Sequence, residues 1–121
     1  SELAIGIGPF VVGPAIERKI GLSAFTQLAI DAAMWRNSDW ARRKGLFAEL
    51  HPDTEVMDES IRRLADTLTH SSPEAMMEMK KIFWKGTEHW DELLIERAAT
   101  SGKLVLSEFT KKAIEKFKTK N

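Results

Sequence analysis

The chain has 121 residues, with 18 basic and 18 acidic side chains and a formal net charge of zero, and it contains no cysteine. That balance offers no global field for nucleic acid or an anionic membrane, and the missing cysteine excludes disulfides, a thiolate nucleophile and a thiolate metal site. One domain or part of one is expected at this length; no apolar run approaches the ~20 residues that span a bilayer and no signal pattern opens the sequence, so a cytoplasmic protein is expected.

In chain order, Glu2 opens a short apolar run interrupted by Gly6 and Gly8 and followed by Pro9. Glycines let the backbone turn sharply or approach a ligand closely, and proline fits the first turn of a helix. The expected result is a carboxylate held just before a tight turn into a helix. A carboxylate with backbone on one side and apolar side chains on the other suits general acid/base work. After Pro9, Val12, Ile16 and Ile20 keep a helical spacing, and Gly21 suits the left-handed residue that ends a helix. Ser23 is then expected to cap a second helix with Phe25, Leu28, Ala29 and Ala32 on one face. Asn37-Ser38-Asp39 signals a short third helix over Trp40 to Lys44, stopped by Gly45. Leu46 to Leu50 reads as the one strand, closed by His51-Pro52.

Asp53 or Thr54 caps a strongly amphipathic segment, in which Met57, Ile61, Leu64, Ala65 and Leu68 fall at the spacing of a single buried stripe. Ser72-Pro73-Glu74 combines a cap, a first-turn proline and an acid favoured by the helix dipole. The helix that follows carries Met76, Met79, Ile82 and Phe83 and ends at Gly86. Thr87 opens the next, with Trp90, Leu93, Leu94 and Ala98 on its apolar side, until Ser101-Gly102 weakens or ends it. Ser107 caps a last helix built on Phe109, Ala113, Ile114 and Phe117. In this last stretch Lys103, Lys111, Lys112, Lys116, Lys118 and Lys120 outnumber Glu108 and Glu115.

His51, His70 and His89 lack metal-ligand spacing, so no metal site is expected. Ser23 and Ser107 read as caps, since no histidine or lysine stands ready to activate them. Trp35, Trp40, Trp84 and Trp90 with Met76, Met77 and Met79 are a heavy load for this length, divided between core and a subunit interface, where both residue types are enriched. The aromatics of the lysine-rich tail fall on its apolar stripe, which disfavours nucleic-acid binding.

Several segments together resemble a known family. They are Glu2 to Gly8 with Pro9, Glu17-Arg18-Lys19-Ile20-Gly21, Ala29, and Trp40-Ala41-Arg42-Arg43-Lys44-Gly45-Leu46-Phe47. In that order they look like the second half of a crotonase, the enoyl-CoA hydratase/isomerase superfamily. There a Pro-Glu-hydrophobic-x-x-Gly-x-x-Pro segment carries a catalytic glutamate and leads into a helix ending in Arg-x-x-Gly. The likeness covers essentially the whole chain. It departs from the family pattern where paired glycines after the proline give way to Phe10-Val11-Val12-Gly13-Pro14, one residue shorter.

The resemblance implies that Glu2 is the general acid/base of an enzyme that adds water to an enoyl-CoA or shifts its double bond. It implies a substrate pocket at Gly6, Pro9, Phe10 and Val11, reshaped by the bulk of Phe10 and Val11. Lys112 and Lys116 resemble the lysines that reach the CoA phosphates, where lysine acts as a point charge. Coenzyme A would be part of the substrate, with no separate cofactor. The oxyanion-hole donors and the other glutamate used by hydratases would lie upstream, so the isolated chain is expected to be inactive. Its partners would be an acyl-CoA, the N-terminal half of the same polypeptide, and further copies in a trimer or hexamer. The expected fold is mainly α, with about six to seven helices and one short strand, as the C-terminal part of an α/β crotonase fold. Residues 1–51 would end the crotonase core and residues 52–121 would form a helical arm for oligomerisation and CoA contact. The rival expectation is a non-catalytic helical module that self-associates, with Glu2 an ordinary surface residue.

Overall fold

A computed structural model describes residues 2–118; Ser1 and Lys120 lie outside the described residues. The chain forms two compact units, Ser1–Ala48 with Asp91–Asn121, and Glu49–Trp90. Residues 91–121 thus group with the first part of the sequence and not with residues 49–90. Among the described residues there are six α-helices, a 3-10 turn and no strand. None of these helices is long and apolar enough to cross a membrane.

The first unit starts with the 3-10 turn Glu2–Ile5. It is closed by the Gly6 N–H on the Leu3 carbonyl and the Ile7 N–H on the Glu2 carbonyl, both at 3.0 Å. Helix α1 spans Gly13–Ile30, with Pro14 in its first turn. The start expected at Pro9 is therefore four residues late. The Phe10 N–H is taken by the Gly8 carbonyl at 2.8 Å, which turns the backbone away from a helical path, and Pro14 supplies the fixed φ that a first turn needs. Gly21, at φ +78°, breaks α1 in two. Helical structure resumes at once, so Ser23 lies inside the second segment and does not cap it. That segment folds back to bring the Phe25 ring against Gly13, with Cζ 3.0 Å from where a Cβ would stand.

Helix α2, Ser38–Arg43, opens on the Asn37 side chain, which accepts from the Trp40 N–H at 2.9 Å. Its end explains why Leu46 to Leu50 is not the expected strand. The Leu46 N–H donates back to the Ala41 carbonyl at 2.9 Å and the Gly45 N–H to Arg42 at 3.1 Å, with Gly45 at φ +80°. This is a Schellman closure. It commits the first amide of the apolar run to the helix end, and no neighbouring strand exists among the described residues to pair the rest.

Helix α5, Trp90–Val105, runs straight through Ser101-Gly102. A glycine costs a helix interior about 1 kcal/mol relative to alanine, which sixteen residues of helix tolerate. Its half-buried face follows Leu93, Leu94, Arg97, Ser101 and Leu104, and Ala98 is exposed. Ser107 caps helix α6, Glu108–Lys118, by accepting from the Thr110 N–H at 3.2 Å. Thr110 is fully buried. Its hydroxyl donates to the Leu104 carbonyl at 3.0 Å and accepts from Ser107 at 3.1 Å. The 3-10 turn packs against both α1 and α6.

In the second unit, Asp53 caps helix α3, Thr54–Thr69, accepting from the Val56 N–H at 2.8 Å. Ser72 caps helix α4, Pro73–Phe83, accepting from Ala75 at 3.3 Å. Trp84 and Trp90 meet edge to face, with ring centroids 6.0 Å apart. The stripe expected to be buried on α3 is open: Ile61 is 56% and Leu64 53% exposed. An amphipathic helix hides its stripe only against a second element, and within this unit no other helix packs on α3. Met77, Met79, Ile82 and Phe83 of α4 are likewise exposed.

The carboxyl of Glu74 is held below the usual glutamate range by its own backbone N–H and then by the Ser72 hydroxyl, which donates to it at 3.0 Å. A depressed folded-state pKa adds stability above the unfolded pKa, and that stability is lost as pH falls through the folded value. Acidification below the ordinary glutamate range should therefore fray the start of α4 in wild type. Ser72→Ala should remove part of this pH dependence, read as amide exchange at residues 74–77 across an acid titration.

Candidate functional site

The first unit contains an open pocket of about 430 Å³. The 3-10 turn supplies Glu2 and Leu3, the following loop Pro9, and the two segments of α1 supply Ile16, Phe25 and Leu28. Phe25, Leu28, Ala29 and Ala32, the face assigned from sequence spacing, all line it. The remaining wall is the stretch between α1 and α2 with the start of α2, including Trp35, Arg36 and Trp40. The Schellman closure returns Leu46 and Phe47 to the same wall.

The lining is mostly apolar, and its charged groups are Glu2 and Arg36. The Arg36 guanidinium donates through Nη2 to Asp31 Oδ2 at 2.8 Å. It also lies over the Trp40 ring, 5.8 Å from the centroid, a cation–π contact. Its Nε is buried and has no hydrogen-bond partner. Trp35 stands on the rim, 91% exposed. The arrangement can hold an apolar body, offer it one charge-assisted N–H, and present a carboxylate able to exchange a proton.

The residues singled out from the sequence are distributed unevenly around this pocket. Glu2 and Pro9 line it; Gly6, Phe10 and Val11 are not among its lining residues. Gly6, at φ +85°, faces α6, with Phe109 Cδ1 2.6 Å and Thr110 Oγ1 2.7 Å from where its Cβ would stand. The Phe10 ring folds over Gly8, and Val11 is exposed. Lys112 and Lys116 are exposed on α6. On the same helix Lys111 pairs with Glu108 at 2.9 Å. A second cavity of about 330 Å³ lies between Ile5 of the 3-10 turn and Ile114, Phe117 and Lys118 of α6.

Arg36 belongs to no motif, and Asn37-Ser38-Asp39 beside it signals only a helix start. The signal available was spacing: an arginine four residues before a tryptophan, at a cap, can stack on that ring. Among the described residues no group of three or more His, Asp or Glu side chains could hold a metal ion. His51 contacts Glu49 at 3.2 Å and His70 contacts Asp66 at 3.8 Å, each at its own site.

No protein-family model matches the chain, and no curated protein or solved structure does so either.

Proposed function

We propose that the chain is the C-terminal part of an enoyl-CoA hydratase or isomerase of the crotonase superfamily, with Glu2 moving the proton. The observation that carries this reading is the place of Glu2, on a hydrogen-bonded turn at the wall of an apolar pocket of about 430 Å³. The ordered likeness of Glu2 to Pro9, Arg18 to Gly21 and Ala41 to Phe47 to the family pattern supports it. An acyl chain would occupy the pocket, and coenzyme A would enter as part of the substrate. Lys112 and Lys116, exposed on the helix that packs against the Glu2 turn, would attract the CoA phosphates. The oxyanion donors would come from the N-terminal half of the same polypeptide, and the intact cytoplasmic enzyme would be a trimer or hexamer. Turnover of a short enoyl-CoA by the complete polypeptide, and none by these 121 residues alone, is the expected pair of results. An inactive complete polypeptide overturns the reading, and activity in the short chain overturns the assignment of the oxyanion hole to the other half.

One observation favours a second reading, a helical module that self-associates. The stripe of Met57, Ile61, Leu64 and Leu68 is open along α3, and exposed apolar patches mark association surfaces. On this reading Ile61→Asp with Leu64→Asp should shift a concentration-dependent oligomer to monomer in sedimentation. Because both side chains are more than half exposed, the helix content should stay unchanged.

A further inference from the structure

We infer that Gly13 sets how bulky an apolar group the pocket of the first unit accepts, by leaving the Phe25 ring room to stand back from it. Gly13 opens α1 and is buried there. It is not among the glycines of positive φ, so its backbone conformation is open to any residue, and glycine is the poorer helix former. The contacts show what the missing side chain avoids. A Cβ on Gly13 would stand 3.0 Å from Phe25 Cζ and 3.6 Å from Phe25 Cε1, with Arg97 Nη1 at 3.5 Å. The first distance is shorter than the optimal carbon–carbon separation of about 3.5–4.0 Å, so a side chain at position 13 forces a neighbour to yield.

Phe25 is the neighbour that can yield, and the pocket is where it has room. The ring belongs to the pocket wall, which Gly13 does not reach. Ala24, next in the chain, is 5% exposed and anchors the second segment of α1. A side-chain torsion turns at lower cost than packed backbone moves. A Cβ at position 13 therefore drives the ring into the empty space beside it and narrows the pocket. The group that feels this is broad and flat. Phe25, Trp35, Trp40 and Phe47 all line the pocket, and aromatic rings pack favourably against one another. A ring-bearing group suits such walls, and the setback of Phe25 makes space for its bulk.

The size limit stands on these contacts alone. Its meaning for substrate rests on the enzymatic reading above, on which Gly13 limits the acyl group. The test titrates the 121-residue chain with benzene and with naphthalene. Binding is read from the methyl resonances of Leu28, Ala29 and Ala32 in the pocket wall. Wild type should bind both probes. Gly13→Ala should weaken naphthalene about threefold and Gly13→Val about tenfold, the scale of overpacking by one and by three carbons, with benzene held within about twofold. Leucine lacks the two ring atoms that stand nearest to position 13, so adding Phe25→Leu to either variant should restore naphthalene. A merely structural role for Gly13 would weaken both probes alike and gain nothing from the second substitution. Equal weakening of both probes, unchanged naphthalene binding, no rescue by Phe25→Leu, or no binding of either probe to wild type overturns the inference. Loss of helix content in Gly13→Ala overturns it as well, because the ring then has no room to yield. Turnover enters none of these readouts, so an inactive complete polypeptide leaves the inference standing. Conversely, a pocket indifferent to position 13 leaves any enoyl-CoA activity intact.

Discussion

Glu2→Gln in the complete polypeptide is expected to lower turnover of a short enoyl-CoA by about 10²- to 10⁴-fold, the usual weight of a positioned acid/base. The amide keeps the shape and most of the polarity of the carboxylate but cannot carry the proton. What the substitution leaves alone is as informative as what it removes. The Glu2 side chain is exposed, and the turn is held by the Glu2 backbone carbonyl, which accepts from Ile7. Surface changes of this kind shift stability by about 0.5 kcal/mol at most. The unfolding midpoint should therefore match wild type while kcat falls and KM stays level. A change in kcat below threefold would return Glu2 to the surface and favour the self-association reading.

Gly6→Ala is the substitution expected to cost the most stability, about 2–4 kcal/mol, through two separate effects. At φ +85° an alanine carries left-handed backbone strain of about 1–2 kcal/mol. The added Cβ would also stand 2.6 Å from the Phe109 ring and 2.7 Å from the Thr110 hydroxyl. The exposed Phe109 ring can swing away, but Thr110 is fully buried and tied to Leu104 and Ser107. Relief would require α6 to lift. Two glycines of the same unit separate the effects. Gly21 has φ +78° and ψ 157° with nothing within 4 Å, so Gly21→Ala should cost about 1–3 kcal/mol of backbone strain with no clash. Gly102 lies inside α5 with nothing within 4 Å, so Gly102→Ala should stabilise by about 1 kcal/mol. Denaturant midpoints should put Gly6→Ala and Gly21→Ala below wild type and Gly102→Ala above it. Trimming Phe109 to alanine in the Gly6→Ala background should recover part of its loss and none of the loss at Gly21; no recovery would mean that the clash with α6 is not what Gly6 avoids.

Local chemistry was readable from the sequence. Asn37, Asp53, Ser72 and Ser107 each accept the amide expected of a helix cap, because a cap is decided within three residues. Gly21 and Gly45 take positive φ and break or end helices where the spacing put the stops; Gly86 also takes positive φ, but α4 already ends at Phe83. The face of Phe25, Leu28 and Ala29 was also legible, since helical period alone brings those side chains together, whereas Ala32 joins the same wall from the turn after α1. Features set by distant parts of the chain were not. Leu46 to Leu50 has the composition of a strand, but a strand needs a partner, and the end of α2 takes its first amide. The stripe on α3 has the period of a buried face, yet period cannot reveal whether anything covers it. Arg36 carries no motif; only the pairing with Asp31 and the stack on Trp40 turn a surface-type residue into part of a wall.

The seat of the Glu2 turn on α6 also sets an order of events in time. Residues 2–5 and 108–118 meet only after the intervening chain has been made and brought round. Closing a loop of that length costs roughly 4 kcal/mol of chain entropy. Helices α2, α3 and α4 can begin as they leave the ribosome, since Asn37, Asp53 and Ser72 cap them from within their own neighbourhoods. The Glu2 turn can lean early on α1, but its seat on α6 waits until that helix arrives with Thr110. That seat is therefore a late step in the assembly of the first unit, and on warming or dilution into denaturant it should be among the first to come apart.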